Sequence, residues 1–269
     1  MKQAEGHFET AMVRVGAQLV RAGRRRGPGG RPPLLLFNGI GANFEMFAPL
    51  AARLVHREIV TFDVPGIGHS VLPRRPYRLR GVAQLAAHVL NHYGHDTCDA
   101  LGVSWGGAAA QQFAHSQPTR CRRLVLCATS AGVAMIPPRL SVLWMMATPR
   151  RYVDPAYGRR VSGALYGGDF RSDPELAARM QRGIRWQSRL GYYLQIAAIA
   201  GWTSVHWLHR LQQRTLILHG SDDPLVPRAN AALMHALIPH SELRLVDCGH
   251  MFLVTRADEC ARAIDEFLT

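Results

Sequence analysis

Six short apolar runs recur along the chain with helix-like stretches between them, and no other feature restricts the fold as much. The runs are LLLFNG (34–39), EIVTFD (58–63), DALGVS (99–104), RRLVLCAT (122–129), TLILHG (215–220) and ELRLVD (242–247). Strands that are apolar along their whole length need cover on both faces, and a mostly parallel sheet obtains that cover from its crossover helices. Helical patterning fills the segments at about 44–54, 81–93, 106–117, 228–238 and 256–268. The alternation predicts a doubly wound α/β fold. Before the first run, AMVRVGAQLVRAG (11–23) alternates apolar and polar residues about Gly16, which predicts an antiparallel pair of strands at the sheet edge.

The rhythm stops between about 131 and 212, where the chain turns rich in Met, Trp and Tyr. An insertion between the fourth and fifth long strands would lie over the carboxyl ends of the sheet, where α/β proteins bind ligands. The expected organisation is one core built from residues 1–130 and 213–269, interrupted by a helical lid at 131–212.

Composition narrows the partners. The chain is 48% hydrophobic and 19% charged, and it holds no apolar run of the ~18 residues that would predict a transmembrane segment. Its opening lacks the apolar stretch of a signal peptide, so a cytoplasmic location is expected. Cys98, Cys121, Cys127, Cys248 and Cys260 form no C-x-x-C pair and read as small buried fillers. No H-E-x-x-H pattern occurs, and neither a metal nor a cofactor is expected. The formal net charge is +13, densest at 21–33 and 72–80. Both clusters read as solvated loops, and neither lies on a helix with interleaved aromatics, which argues against a nucleic-acid partner.

Gly102-Val103-Ser104-Trp105-Gly106 matches G-x-S-x-G and stands directly between a strand run and a helix run. In that context the motif makes a turn so sharp that the serine protrudes, and the residues two before and two after it must be small. A serine hydroxyl is a weak nucleophile until a base takes its proton, so a carboxylate and a histidine should follow in that order. HGSDDPLVP offers Asp222 or Asp223 after the penultimate strand run, and VDCGHMF places His250 after the last one. An oxyanion needs two backbone N–H donors. Trp105, next to the serine, supplies one; the loop FNGIGAN (37–43) supplies the other, with Ile40 the first choice and Gly41 the second. FDVPGIGHS (62–70) has the glycines of a dinucleotide loop, but Pro65 and the missing helix make it a structural loop near the site.

With these residues together, the chain resembles an α/β-hydrolase, and within that superfamily the intracellular medium-chain-length poly(3-hydroxyalkanoate) depolymerases. The resemblance runs through LLLFNGIGAN, GVSWGGAAAQQFAH, VLWMMATPRRYV, LYGGDFRSDPELA, GWTSVHWLH, DDPLVP and GHMFLVTRA. Several of these lie in the expected lid, which varies more among relatives than the serine turn does. The resemblance implies Ser104 as nucleophile, His250 as base, and Asp223 as the acid, 27 residues before the histidine. It also implies a polyester substrate met at a granule surface, cleaved through an acyl-enzyme. His69 stands where the family pattern leads one to expect a small residue. Rival readings are a carboxylesterase, lactonase or carbon–carbon bond hydrolase, and a hydroxyacyl transferase; Ser104 in place of cysteine argues against a polymer synthase. Trp105, Met251, Trp144, Trp186, Trp202 and Trp207 are the side chains expected to line an alkyl pocket.

Overall fold

The computed structural model describes residues 7–173, 175–183 and 188–269. Eight strands form one sheet: β1 (Glu9–Val15), β2 (Gln18–Arg25), β3 (Leu34–Phe37), β4 (Ile59–Phe62), β5 (Cys98–Val103), β6 (Cys121–Cys127), β7 (Arg214–Gly220) and β8 (Ser241–Val246). Their order is β1-β2-β4-β3-β5-β6-β7-β8. β1 and β2 pair antiparallel, β2 joins β4 antiparallel, and every later pairing is parallel. The hairpin turns at Gly16, whose φ of +58° suits a glycine.

The helices are α1 (Ala48–Ala51), α2 (Leu79–His92), α3 (Trp105–Ser116), α4 (Leu140–Met146), α5 (Arg150–Val153), α6 (Pro155–Tyr166), α7 (Asp169–Ser172), α8 (Glu175–Gly183), α9 (Arg189–Ile199), α10 (Ala229–Leu237), α11 (Phe252–Thr255) and α12 (Ala257–Leu268). The long strands are apolar throughout because successive side chains face opposite layers. Leu35 and Phe37 of β3 and Leu124 and Leu126 of β6 point into a core with α2, α3 and α10. Their neighbours Leu34, Leu36, Val125 and Cys127 point into the opposite core with α1, α11 and α12. Each fully buried Leu or Val of this kind contributes roughly 1.5–3 kcal/mol.

Two expectations change. The helix predicted at 44–54 is a 3₁₀ turn over Phe44–Phe47 that continues into the single turn of α1. Pro49 sits in the first turn of α1, where its missing N–H costs nothing. The first basic cluster is not all loop either, because Arg21, Arg24 and Arg25 lie on β2. There Arg21 pairs with Glu45 and Asp63, and Arg24 with Glu58 at 2.8 Å. The terminal helix predicted at 256–268 is α12, with the short α11 just before it.

Residues 131–212 contribute α4 to α9 and, among the described residues, no strand of the sheet. Val142, Leu165, Tyr166 and Phe170 of this insertion cluster with Leu225 and Val226, and Met251 packs alongside. The insertion therefore rests on the loops that leave β7 and β8.

Candidate active site

The sheet order reverses beside β3, and the loop with the candidate oxyanion donor and the turn with the candidate nucleophile leave the adjacent strands β3 and β5 there. Phe37 at the end of β3 is level with Gly102 near the end of β5, so the loop 38–43 runs beside the serine turn. A Cβ built on Gly39 would lie 3.8 Å from the Cβ of Ser104.

Ser104 has φ +55° and ψ −121°, a conformation that costs a non-glycine residue of order 1–3 kcal/mol and persists only where its surroundings enforce it. The enforcement is visible. The Ser104 N–H donates to the Cys127 carbonyl at 2.9 Å, and its carbonyl accepts from the Gly107 N–H at 2.9 Å and the Thr129 hydroxyl at 2.7 Å. A Cβ on Gly102 would stand 2.2 Å from the Gly106 oxygen, and one on Gly106 would stand 2.2 Å from the Phe37 oxygen. Both flanking positions thus require glycine, for the steric reason the motif suggested.

The two aspartates of the loop after β7 separate cleanly. Asp223 is buried; its Oδ1 accepts from the N–H groups of Leu225 and Val226, each at 2.9 Å, and its Oδ2 is 2.7 Å from His250 Nδ1. With its carboxylate aimed at Nδ1, the imidazole carries a proton there and presents Nε2 as a base. Asp222 faces the other way, accepting from Gly168 N–H at 2.8 Å and from Arg171 at 2.7 and 3.0 Å. The Arg171 hydrogen bond holds the Asp222 carboxyl below its ordinary range. His250 is itself fixed by its N–H, which donates to the Tyr166 carbonyl of α6 at 2.7 Å.

Ser104 and His250 line one cavity of about 70 Å³, together with Asn38, Gly39 and Ile40 of the β3 loop. Its remaining wall is largely thioether and aromatic, including Met46, Met146, Met180, Met251, Tyr152 and Tyr166. Among the described residues, neither the Ile40 nor the Trp105 N–H has a hydrogen-bond partner. The Gly41 N–H, in contrast, donates to Gln195 Oε1 at 2.7 Å.

Sequence reasoning placed the aromatics less well. Met251 lines the cavity as expected. Trp105 instead buries its ring and donates its indole N–H to the Gln195 carbonyl at 2.8 Å. Trp207 stacks on His115 with ring centroids 4.2 Å apart, and Trp202 bonds Gln112 at 2.9 Å. Trp144 is 77% exposed, and Trp186 lies outside the described residues. Past the end of β4 at Phe62, the 62–70 segment runs as turns with no helix directly after it. Its Asp63 is buried and accepts from the N–H groups of Phe44 (3.0 Å) and His69 (3.3 Å), while the His69 side chain is exposed.

Three residues escaped the sequence reading. His219 is buried behind the acid loop; its Nε2 donates to the Val226 carbonyl at 2.8 Å and lies 3.7 Å from Asp223 Oδ2. Burial holds this imidazole below its ordinary pKa, against the opposing pull of Asp223. Arg151, buried beside Tyr152 and Tyr192, lines the cavity with its guanidinium 4.3 Å from the Tyr152 ring centre. Gln195 bonds both the Gly41 N–H and the Trp105 indole. In the sequence it is one polar residue of a helix that also carries Arg189, with no motif around it.

Residues 32–257 match the alpha/beta hydrolase fold family, and the protein belongs to it. A poly(3-hydroxyalkanoate) depolymerase from Ectopseudomonas oleovorans is 49% identical over 95% of this chain and 91% of its own length. A 2-hydroxymuconate semialdehyde hydrolase from Pseudomonas sp. (strain CF600) is 27% identical over 94% of each chain. Among solved structures, a bromoperoxidase from Bacillus anthracis superposes with a TM-score of 0.82 over 97% of this chain and 99% of its own, at 20% identity, a likeness of fold alone.

Proposed function

We propose that the protein is a serine hydrolase that cleaves the ester bonds of medium-chain-length poly(3-hydroxyalkanoate), with Ser104 as nucleophile, His250 as general base and Asp223 as its orienting acid. The observation that carries this reading is the 2.7 Å bond between buried Asp223 and His250, with the imidazole opening into the same cavity as the strained Ser104. The extensive identity to a depolymerase supports the choice of substrate.

His250 Nε2 takes the hydroxyl proton as Ser104 Oγ attacks the ester carbonyl carbon. The carbonyl oxygen becomes an oxyanion held by the N–H groups of Ile40 and Trp105, each such donor supplying ~2.7–4 kcal/mol in the transition state. Collapse breaks the ester C–O bond, and the proton on His250 passes to the departing hydroxyl end of the polymer. Water then attacks the acyl-serine with His250 again as base, releasing a carboxylate and restoring Ser104.

The cavity walls bear on side-chain length. Flexible thioethers adapt to alkyl chains of varied shape, and four extra buried CH₂ groups at ~0.8 kcal/mol each favour pentyl over methyl side chains by about 3 kcal/mol, roughly 10²-fold. Because about 70 Å³ holds only a few water molecules, residues 131–212 act as a lid that moves to admit polymer. Leu140 and Trp144 of α4, 74% and 77% exposed, form an outer apolar face suited to a granule surface. No helix of the described residues is long and apolar enough to cross a membrane.

Side-by-side turnover of a medium-side-chain polyester suspension, p-nitrophenyl octanoate and a ring-fission dienoate tests the assignment. We expect soluble hydroxy acids from the polyester, cleavage of the p-nitrophenyl ester and no reaction with the dienoate. Dienoate cleavage with an inert polyester would make the protein a carbon–carbon bond hydrolase instead.

A further inference from the structure

The Ile40–Gly41 peptide is held at both ends by the helical insertion. Its N–H, on Gly41, donates to Gln195 Oε1 at 2.7 Å, and its carbonyl, on Ile40, accepts from the Tyr152 hydroxyl at 2.7 Å. Gly41 has φ +72°, and a Cβ there would strike the Tyr152 ring at 2.5 Å, so this peptide can be gripped so closely only with glycine present. Gln195 makes a second bond from its main chain: its carbonyl accepts the Trp105 indole N–H at 2.8 Å. One buried residue of α9 is thereby tied to both segments that carry the proposed oxyanion donors. The amide orientation is unambiguous, because only its oxygen can accept from Gly41.

We propose that Gln195 is a positioning residue of the oxyanion site. By engaging the Gly41 N–H it fixes the plane of the 40–41 peptide and leaves the preceding N–H, on Ile40, as the donor that faces the cavity. Through Trp105 it ties the second donor to the same helix. Gly41 is absent from the cavity lining among the described residues, whereas Gly39, Ile40 and Ala42 are present. The geometry also makes the insertion a part of the catalytic apparatus: with α9 docked, both donors are held in place. This inference rests on the serine-hydrolase reading above.

The test compares the wild-type chain with Gln195→Met, which keeps the shape and removes the acceptor, and Gln195→Glu, which retains an acceptor oxygen. The readouts are turnover of p-nitrophenyl octanoate and inhibition by an alkyl trifluoromethyl ketone, whose tetrahedral adduct places an oxyanion at the site. Misplacing one donor should lower kcat for Gln195→Met about 10- to 100-fold, leave KM within about 3-fold and weaken the ketone by the same factor as kcat. Gln195→Glu should recover kcat to within about 5-fold of wild type through the retained acceptor. Gln195→Met with wild-type kcat, or with reduced kcat and undiminished ketone affinity, would overturn the proposal. If Gln195→Met does not fold, Trp105→Phe deletes the indole donor while keeping the backbone N–H. It should lower kcat and ketone affinity together by about 3- to 10-fold, and wild-type values for both would again overturn the proposal. Wild-type protein inert to both the ester and the ketone would defeat the hydrolase reading itself, a result distinct from active wild type with unaffected variants.

Discussion

Two adjacent aspartates do different work because their side chains leave the loop in opposite directions. Asp223 spends one oxygen on two backbone N–H groups and the other on His250, all in a buried setting. Replacing it by Asn presents an amide where the imidazole needs an acceptor, so Asp223→Asn should reduce kcat by about 10⁴-fold with little change in folding. Asp222 is half-exposed and paired with Arg171, and such pairs contribute about 0–1 kcal/mol. Asp222→Ala should therefore keep kcat within about 3-fold of wild type. Steady-state kinetics of both variants on p-nitrophenyl octanoate checks the contrast; equal losses would refute it. From sequence alone either carboxylate fits the loop chemistry, and family spacing separates them. The structure adds the cause, which is burial and the direction of each side chain.

At the scale of elements, the turn between β5 and α3 was legible because its constraints are local. Gly102, Ser104 and Gly106 occupy fixed offsets, and their steric reasons lie within a few residues of chain and the neighbouring β3. Gly106→Ala would drive a methyl into the Phe37 carbonyl, a collision with backbone that cannot rotate away. We expect it to destabilise the fold by about 1–3 kcal/mol or more, read as a lower denaturant midpoint, and to cut activity even where folded. An unchanged midpoint would mean that the turn is looser than its contacts imply. The insertion was less legible. Its helices and its place after β6 follow from the missing strand rhythm, but which side chains face the site depends on how six helices pack. Trp202 and Trp207 pack against each other rather than around a ligand, while Gln195, unremarkable in sequence, meets the donor loops. Contacts across 154 residues of chain leave no local pattern to read.

For the molecule as a whole, Asp63 of the 62–70 loop ties β2, through Arg21, to the 3₁₀ turn that begins at Phe44. This carboxyl bonds Phe44 and His69 N–H and pairs with Arg21, yet burial raises it from 3.8 to about 7. A carboxyl whose folded pKa lies above its unfolded value binds more protons in the folded state between the two, so stability declines as pH rises through that window. Wild-type stability should thus fall from about pH 4 to about pH 7 relative to Asp63→Asn, which stays neutral throughout. Denaturant unfolding of both proteins across this range measures the difference; a difference that is flat or of opposite slope would show Asp63 ionised well below neutrality. The wider architecture needed less inference, because continuous apolar strands separated by helices admit few alternatives. The edge hairpin followed from the same reading.

In the proposed reaction Ser104, activated by His250 and Asp223, opens the ester bonds of a medium-chain polyester. This reaction is tested most directly by mass spectrometry of the soluble products released from a polyester suspension by wild-type protein and by Ser104→Ala. We expect 3-hydroxy acids or short oligomers from the wild type and release at least about 10⁴-fold slower from an equally stable Ser104→Ala. Release at a comparable rate by both proteins would contradict the proposal.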